Sequence, residues 1–271
     1  MLYICIPAFN EGPTIGVLLW RIRKVFQGYS REYEILVYDD GSTDGTAETL
    51  APYADVTPLT VLRGETRKGY THALESLARE ASRRTRYPRR DAMVVMQADF
   101  TDQPEQLPEL VKRFEGGADI VIGERAATTK EPREVARLRR LAPWALRFSM
   151  NITGITDPFA SYRLFRISLI RDLLKSAPDK QLVKGEGWAA NLSLLMSAMP
   201  LARRAERVKV DPRYDVRVRE SRIRPFADAM SLYHFGRSVS GARLSLPSPG
   251  PAADSTASAG RSPGQKEQAT S

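Results

Sequence analysis

Five apolar runs punctuate the first 125 residues: "LYICIP", "YEILVYDD", "PLTVLRG", "DAMVVMQA" and "ADIVIGE". Helix-spaced stretches separate them. Pro13 to Phe26 carries apolar residues at helical intervals. "STDGTAETLAPY" opens with Ser42 or Thr43 as an N-cap, and "KGYTHALESLAREASRRT" and "PEQLPELVKRFEGG" follow. Strands rich in β-branched residues, alternating with helices, predict a mostly parallel sheet covered on both faces. Ligands of such sheets bind at the carboxyl ends of the strands. Those ends hold the chain's unusual residues: Asn10 and Glu11, Asp39 and Asp40, Arg67 and Lys68, Gln97 to Asp102, and Arg125.

The second half is less regular. Residues 131–152 read as a basic amphipathic helix, and "DPFASYRLFR" as a loop entering a strand or helix. "EGWAANLSLLMSAM" reads as a helix and "AERVKVDPRYD" as holding a strand. "SRIRPFADAMSLYHFGR" reads as a terminal amphipathic helix broken at Pro225. The expected layout is one domain over 1–240, with a nucleotide half to about 126 and an acceptor half from about 127. The Ser/Pro/Gly/Ala-rich segment 245–271 has little to bury and is expected to be disordered. No apolar window is long enough for a membrane span, and no signal peptide is expected. Cys5 is the only cysteine, which fits a reducing compartment. One Cys and two His argue against structural zinc.

Net charge is +9, which favours an anionic partner. Residues 201–224 concentrate it, with nine Lys/Arg against four Asp/Glu. In "PAFNEGPTI", Pro13 suits a first helical turn and Glu11 a helix N-terminus. In "VYDDGSTDGT", Asp39 and Asp40 crowd negative charge, and a ligand offering donors would give them a purpose. Asp44 and Gly45 read as turn and cap residues only. In "MQADFTDQPE", oxygen ligands at a strand end suit a hard divalent cation that bridges to phosphate. Asp102 reads as an N-cap for the helix near Pro104; Asp99 does not.

"IPAFNEGPTI", "ILVYDDGSTDGT", "KGYTHAL", "QADFTDQPE", "DIVIGER" and "DPFASYRLFR", in this order, resemble the inverting family 2 glycosyltransferases of GT-A fold. The branch they are most similar to is that of the polyprenyl-phosphate mannosyl- and glucosyltransferases. The resemblance covers roughly residues 2–237. It implies a Rossmann-like central sheet and a bound Mg2+ or Mn2+. It implies that Pro7, Ala8, Asn10, Glu11 and Asp39 or Asp40 hold the nucleotide's base and ribose. Lys68, Gly69, Gln97 and Ala98 would complete the donor site. Asp99 matches the second acid of the family's Asp-x-Asp metal motif, with Gln97 in place of the first and Thr101 as an added oxygen ligand. Arg125 matches a phosphate-binding arginine. Ser161, Arg163, Arg217, Arg219, Ser221 and Arg222 match acceptor or phosphate segments.

The implied reaction moves a hexose, with inversion, from a nucleotide diphosphate sugar to a lipid-linked phosphate. Such an acceptor is already an anionic nucleophile and needs no base. A hydroxyl acceptor of a cell-envelope glycan would need one, and Glu186 in "KGEGWAAN" is the candidate. A nucleotidyltransferase would carry a Gly-rich basic loop after strand one, unlike "PAFNEGPT". A non-enzymatic nucleic-acid binder would explain the charge but not acids at successive strand ends, which repel the backbone. The basic stretch and the terminal amphipathic helix predict peripheral attachment at the cytoplasmic face of an anionic membrane. A separate membrane subunit is the other way to reach a lipid acceptor.

Overall fold

In the computed structural model, the described residues are 1–126, 131–147, 149–176, 181–216, 223–239 and 241–246. The chain runs β1 (Leu2–Ala8), α1 (Gly12–Gln27), β2 (Tyr33–Asp39), α2 (Thr46–Leu50), β3 (Leu59–Arg63), α3 (Tyr70–Arg84) and β4 (Ala92–Val95). It continues through α4 (Leu107–Glu115), β5 (Ile120–Arg125), α5 (Arg133–Leu146), β6 (Met150–Thr153), β7 (Arg163–Arg166) and α6 (Ile167–Ser176). The last elements are α7 (Trp188–Ala198), β8 (Ala205–Val210), α8 (Pro225–Ser238) and β9 (Ala242–Ser245).

Seven strands form one sheet in the order β3-β2-β1-β4-β7-β5-β8. β1 is buried along its whole length. Its side chains alternate: Tyr3 and Cys5 enter one core, and Leu2, Ile4, Ile6 and Ala8 the other. The first core is roofed by α3, α5, α6, α7 and α8, the second by α1 and α4. Apolar Ala73, Leu74, Leu77, Ala78 and Ala81 set the buried stripe of α3. The chain steps outward from β1 to β3, then returns to β4 on the other side of β1. That reversal opens a crevice beyond the carboxyl ends of β1 and β4.

The mostly parallel α/β fold is as expected from sequence; several elements of the second half differ. β7 runs antiparallel between β4 and β5, pairing Val94 with Leu164 and Val121 with the same residue. The two sequence halves therefore interleave in one sheet. The helix expected over 131–152 stops at Leu146. β-branched Ile152 and Thr153 favour the extended chain of β6, and Gly154 follows at φ +76°. Pro225 does not break the last helix; it starts it, where a missing N–H costs nothing. β9 pairs in parallel with β6 beyond residue 240, and Leu244 is 1% exposed. The expected disordered segment lies outside the described residues from position 247 onward.

Candidate active site

The carboxyl ends of β1, β2, β4 and β5 open into a cavity of about 590 Å³. Backbone amides and short side chains stitch the first two loops together. Asn10, at φ +51°, donates its N–H to the Ser42 hydroxyl at 2.9 Å, and its Oδ1 accepts the Thr43 N–H at 2.9 Å. The Glu11 N–H donates to Thr46 Oγ1, and the Gly12 N–H to Asp44 Oδ2. Burial raises the Asp44 carboxyl, but the Thr46 hydroxyl and the amides of Gly12 and Thr46 outweigh it and hold the group below its ordinary range. Asp44 is thus the turn residue that its sequence context suggests.

Three of the four carboxylate oxygens of the paired acids at the end of β2 accept backbone N–H groups. Asp39 is fully buried; its Oδ1 accepts the Ser42 N–H and its Oδ2 lies 3.8 Å from Arg63 Nε. It lies off the cavity wall. Asp40 is on the wall, and its two oxygens accept the N–H groups of Lys68 and Gly69 at 2.8 Å each. That bidentate grip fixes the loop before α3. The Lys68 side chain is exposed and off the wall; the neighbouring Arg67 lines it instead, with its guanidinium 4.2 Å above the Phe9 ring. Charge at the strand end was legible in the sequence, but not which of the two cations faces inward.

Pro7, Ala8, Glu11, Gly69, Gln97 and Ala98 line the cavity; Asn10 braces the loop behind it. After β4 the chain turns sharply at Phe100, which holds φ +65°. A bulky residue in that region is strained and marks a site where geometry is imposed. Asp99 is 1% exposed and its Oδ1 accepts the Thr101 N–H at 3.1 Å. Thr101 and Asp102 reach the wall. Asp102 is not the helix cap: that position is Gln103, with no side-chain cap bond. The Asp102 carboxylate instead accepts the Gln97 N–H at 2.8 Å and the Ser161 hydroxyl at 3.4 Å. The Thr101 hydroxyl is buried without a hydrogen-bond partner among the described residues. An orphaned oxygen beside two carboxylates is a donor set suited to Mg2+ or Mn2+.

Two arginines close the far end. Arg125 lies on the wall with Nε 3.0 Å from Glu131, and Arg139 donates to the same carboxylate at 2.9 Å. Arg139 also pairs with Asp157 and sits 5.2 Å over the Trp188 ring, which stacks on Phe159. Burial lowers the Arg139 pKa, but Asp157 and Glu131 outweigh it and raise it overall. Sequence reasoning missed Arg139, because one arginine in a basic helix carries no mark of the face it occupies. Arg163 corrects the other way. It is 2% exposed, and its guanidinium donates to the carbonyls of Asn191, Asp157 and Pro158. Burial lowers its pKa to about 10, so it stays charged and braces the core instead of gripping an acceptor. Ser161 is on the wall. Arg217, Arg219, Ser221 and Arg222 lie outside the described residues. Glu186 lines the cavity mouth, its Oε1 2.9 Å from where a Cβ on Gly69 would stand, and accepts the Thr71 N–H at 3.4 Å.

The sequence model of glycosyl transferase family 2 matches residues 3–174. An undecaprenyl-phosphate mannosyltransferase of Micrococcus luteus is 29% identical over 212 residues, covering 76% of this chain and 80% of that one. A dolichol-phosphate mannosyltransferase of Pyrococcus furiosus is 36% identical over 122 residues, covering 45% of this chain; the match spans only 32% of that relative's length. Among solved structures, glucosyl-3-phosphoglycerate synthase of Mycobacterium tuberculosis with phosphoglyceric acid superposes with a TM-score of 0.60 at 20% identity. It covers 89% of this chain and 80% of that one. The complex of that synthase with Mn2+, UDP and glucosyl-3-phosphoglycerate gives a TM-score of 0.57 at 22% identity, covering 86% and 76%. These likenesses establish the GT-A fold, and with the family match over most of the chain, the protein belongs to glycosyl transferase family 2.

Proposed function

We propose that this glycosyltransferase moves a hexose from a nucleotide diphosphate sugar to a polyprenyl phosphate. The observation that carries the reading is one cavity with two unlike ends. At one end lie the loops after β1, β2 and β4, with Phe9, Glu11, Asp40, Arg67, Gln97, Ala98, Thr101 and Asp102 on the wall and Asp99 buried behind it. At the other lie Arg125 and Arg139, joined by Glu131. The first end offers peptide and carboxylate partners to a base and ribose. The second offers guanidinium groups, which bind phosphate through paired N–H donors. The Micrococcus and Pyrococcus relatives, an undecaprenyl-phosphate and a dolichol-phosphate mannosyltransferase, support a lipid-phosphate acceptor.

Asp99, Thr101 and Asp102, with Gln97 as a neutral oxygen, would hold a divalent ion together with the donor's own phosphates. Such an ion supplies charge neutralisation at the leaving diphosphate. Among the described residues no cluster of three or more acids, histidines or cysteines gathers to hold a metal, so donor oxygens are needed to complete the shell. Arg125 and Arg139 orient the acceptor phosphate. A phosphate oxygen attacks the anomeric carbon from the face opposite the leaving group. The bond from that carbon to the diphosphate oxygen breaks, the nucleoside diphosphate departs with the electron pair, and configuration inverts. No proton moves, so no general base is required.

No helix among the described residues is long and apolar enough to cross a membrane. A lipid-phosphate acceptor would bring the protein to the cytoplasmic membrane face, as a peripheral enzyme or beside a membrane subunit. Incubation with labelled nucleotide diphosphate sugars, Mn2+ and a short-chain, water-soluble prenyl phosphate tests the transfer. Labelled sugar should move onto the prenyl phosphate with inverted anomeric configuration. Transfer only to a hydroxyl acceptor, lost in Glu186→Gln, would replace this reading with the base-assisted one.

A further inference from the structure

We propose that a second cavity, at the opposite end of the sheet from the active site, binds a small phosphomonoester bearing hydroxyl groups, such as a hexose phosphate. This binding is independent of the transfer reaction above. The cavity measures about 470 Å³. On its wall, Arg89 precedes β4, Asp119 precedes β5, Arg203 precedes β8, and Ser168 and Asp172 belong to α6. It therefore lies at the amino ends of these strands, whereas the catalytic cavity lies at carboxyl ends. β5 runs from Asp119 beside the one to Arg125 on the wall of the other. A strand of that length separates the two by about 20 Å, so a ligand here leaves the nucleotide site open.

One ion pair builds the frame. Arg166, at the end of β7, donates its Nε to Asp119 Oδ1 at 2.6 Å and its other nitrogens to the carbonyls of Arg89 and Ala118. Its guanidinium also lies 4.4 Å over the Phe114 ring. Asp119 Oδ2 accepts the Arg203 N–H at 2.9 Å. Arg166 and Asp119 thus balance each other's charge and tie down the backbones of residues 89 and 203. Three charged side chains on the wall are left over. Among the described residues, the guanidinium groups of Arg89 and Arg203 and the carboxylate of Asp172 have no ion-pair or hydrogen-bond partner. Other arginines at this end are paired, Arg31 with Glu115, Arg113 with Glu109 and Arg204 with Glu206. Arg203 belongs to the basic stretch 201–224, in which Arg207 pairs with Glu124 and Arg213 with Asp215.

The leftover groups define the occupant. Arg89 and Arg203 line the same cavity as Asp172 yet do not pair with it, so a ligand can lie between the opposite charges. Two guanidinium groups against one carboxylate favour an anion, and their paired N–H donors suit phosphate. An ionised carboxylate can only accept hydrogen bonds, so Asp172 calls for hydroxyl donors on the same ligand. The Ser168 hydroxyl, on a half-buried residue of the wall, can serve either part. Leu201, 48% exposed, offers apolar surface to the C–H face of a ring. A bare inorganic anion would leave Asp172 facing like charge, whereas a phosphorylated sugar engages all three groups. The volume falls within the range of small-molecule sites, about 300–1,000 Å³.

Calorimetry on the full chain with glucose 6-phosphate, glucose and inorganic phosphate tests the site. Wild type should bind glucose 6-phosphate with a millimolar or tighter Kd, inorganic phosphate several-fold more weakly, and glucose not measurably. The double variant Arg89→Gln, Arg203→Gln should lose roughly tenfold or more in affinity while its circular dichroism matches wild type. Asp172→Asn should narrow the preference for glucose 6-phosphate over inorganic phosphate. Arg125→Gln, in the catalytic cavity, should bind glucose 6-phosphate as wild type does. So should the double variant Arg23→Gln, Lys24→Gln on α1, which removes the same net charge elsewhere. Equal affinity of wild type and the Arg89, Arg203 variant overturns the proposal. An equal loss in the α1 variant also overturns it, because net charge alone would then explain binding. A loss confined to Arg125→Gln would put the ligand in the catalytic cavity instead. Equal affinity for glucose 6-phosphate and inorganic phosphate would leave an unselective anion patch and overturn the assignment.

Discussion

Thr101 keeps a buried hydroxyl on the cavity wall without a partner among the described residues. An unsatisfied buried polar group costs about 1–3 kcal/mol. Thr101→Val removes that group with little change of shape, so the melting temperature should hold or rise. Mn2+-dependent nucleotide affinity should fall roughly tenfold, as calorimetry would report. A fall in stability with unchanged affinity would make the residue structural. Gln97 brings the metal region an amide oxygen but no charge. Gln97→Asp should tighten Mn2+ binding in the absence of donor, and equal affinity would remove residue 97 from the coordination shell. Asp44 gives a pH signature. Its folded carboxyl lies below the ordinary value of 3.8. The stability it contributes is therefore present above that value and is lost as pH falls through the folded one. Asp44→Asn should be less stable than wild type at neutral pH, and denaturant titrations should show the gap closing in strong acid. A gap independent of pH would assign the loss to packing.

At the scale of elements, the site is a set of strand ends tied to one another by amides. Gly41 shows how tight that is: at φ +71°, a Cβ would stand 2.9 Å from the backbone of Thr66 and Arg67. Gly41→Ala should cost about 2 kcal/mol through strain and collision. Thermal melts should show a drop of several degrees, and an unchanged midpoint would mean the 64–69 loop shifts freely. These strand ends were legible in the sequence because the alternation that makes them is local. Apolar runs of strand length, followed by polar residues and helical spacing, give Ala8, Asp40 and Ala98 their places without knowledge of the fold. What failed was non-local. β7 enters the sheet between strands far from it in sequence, and no spacing announces that. Arg163 belongs to β7, and its charge in a loop-like motif suggested an anion grip. Only the surrounding carbonyls of Asn191 and Pro158 reveal it as a buried brace. Arg139 was hidden for the converse reason, as one of several arginines on α5 with an inward face set by packing.

The whole molecule is one sheet whose late strands complete the early half, so contacts distant in sequence should matter for stability. Leu244 on β9 is almost fully buried against the first core. Leu244→Ala should cost about 2–4 kcal/mol, measurable by urea denaturation. A cost under 0.5 kcal/mol would detach β9 from the folded unit. The central claim is that the cavity takes a nucleotide diphosphate sugar with a divalent ion whose charged ligands include Asp99. It is tested most directly by thermal melts of wild type and Asp99→Asn across nucleotide diphosphate sugars, with and without Mn2+. At a hundredfold excess over Kd a bound donor adds about 2.7 kcal/mol. One donor should stabilise wild type strongly with Mn2+ and weakly without it. Asp99→Asn should melt like wild type without ligand, because Asn can still accept the Thr101 N–H, and should show with Mn2+ only the weak stabilisation that the donor gives without it, because Asn brings no charge. Full Mn2+-dependent stabilisation of Asp99→Asn by that donor would contradict the account.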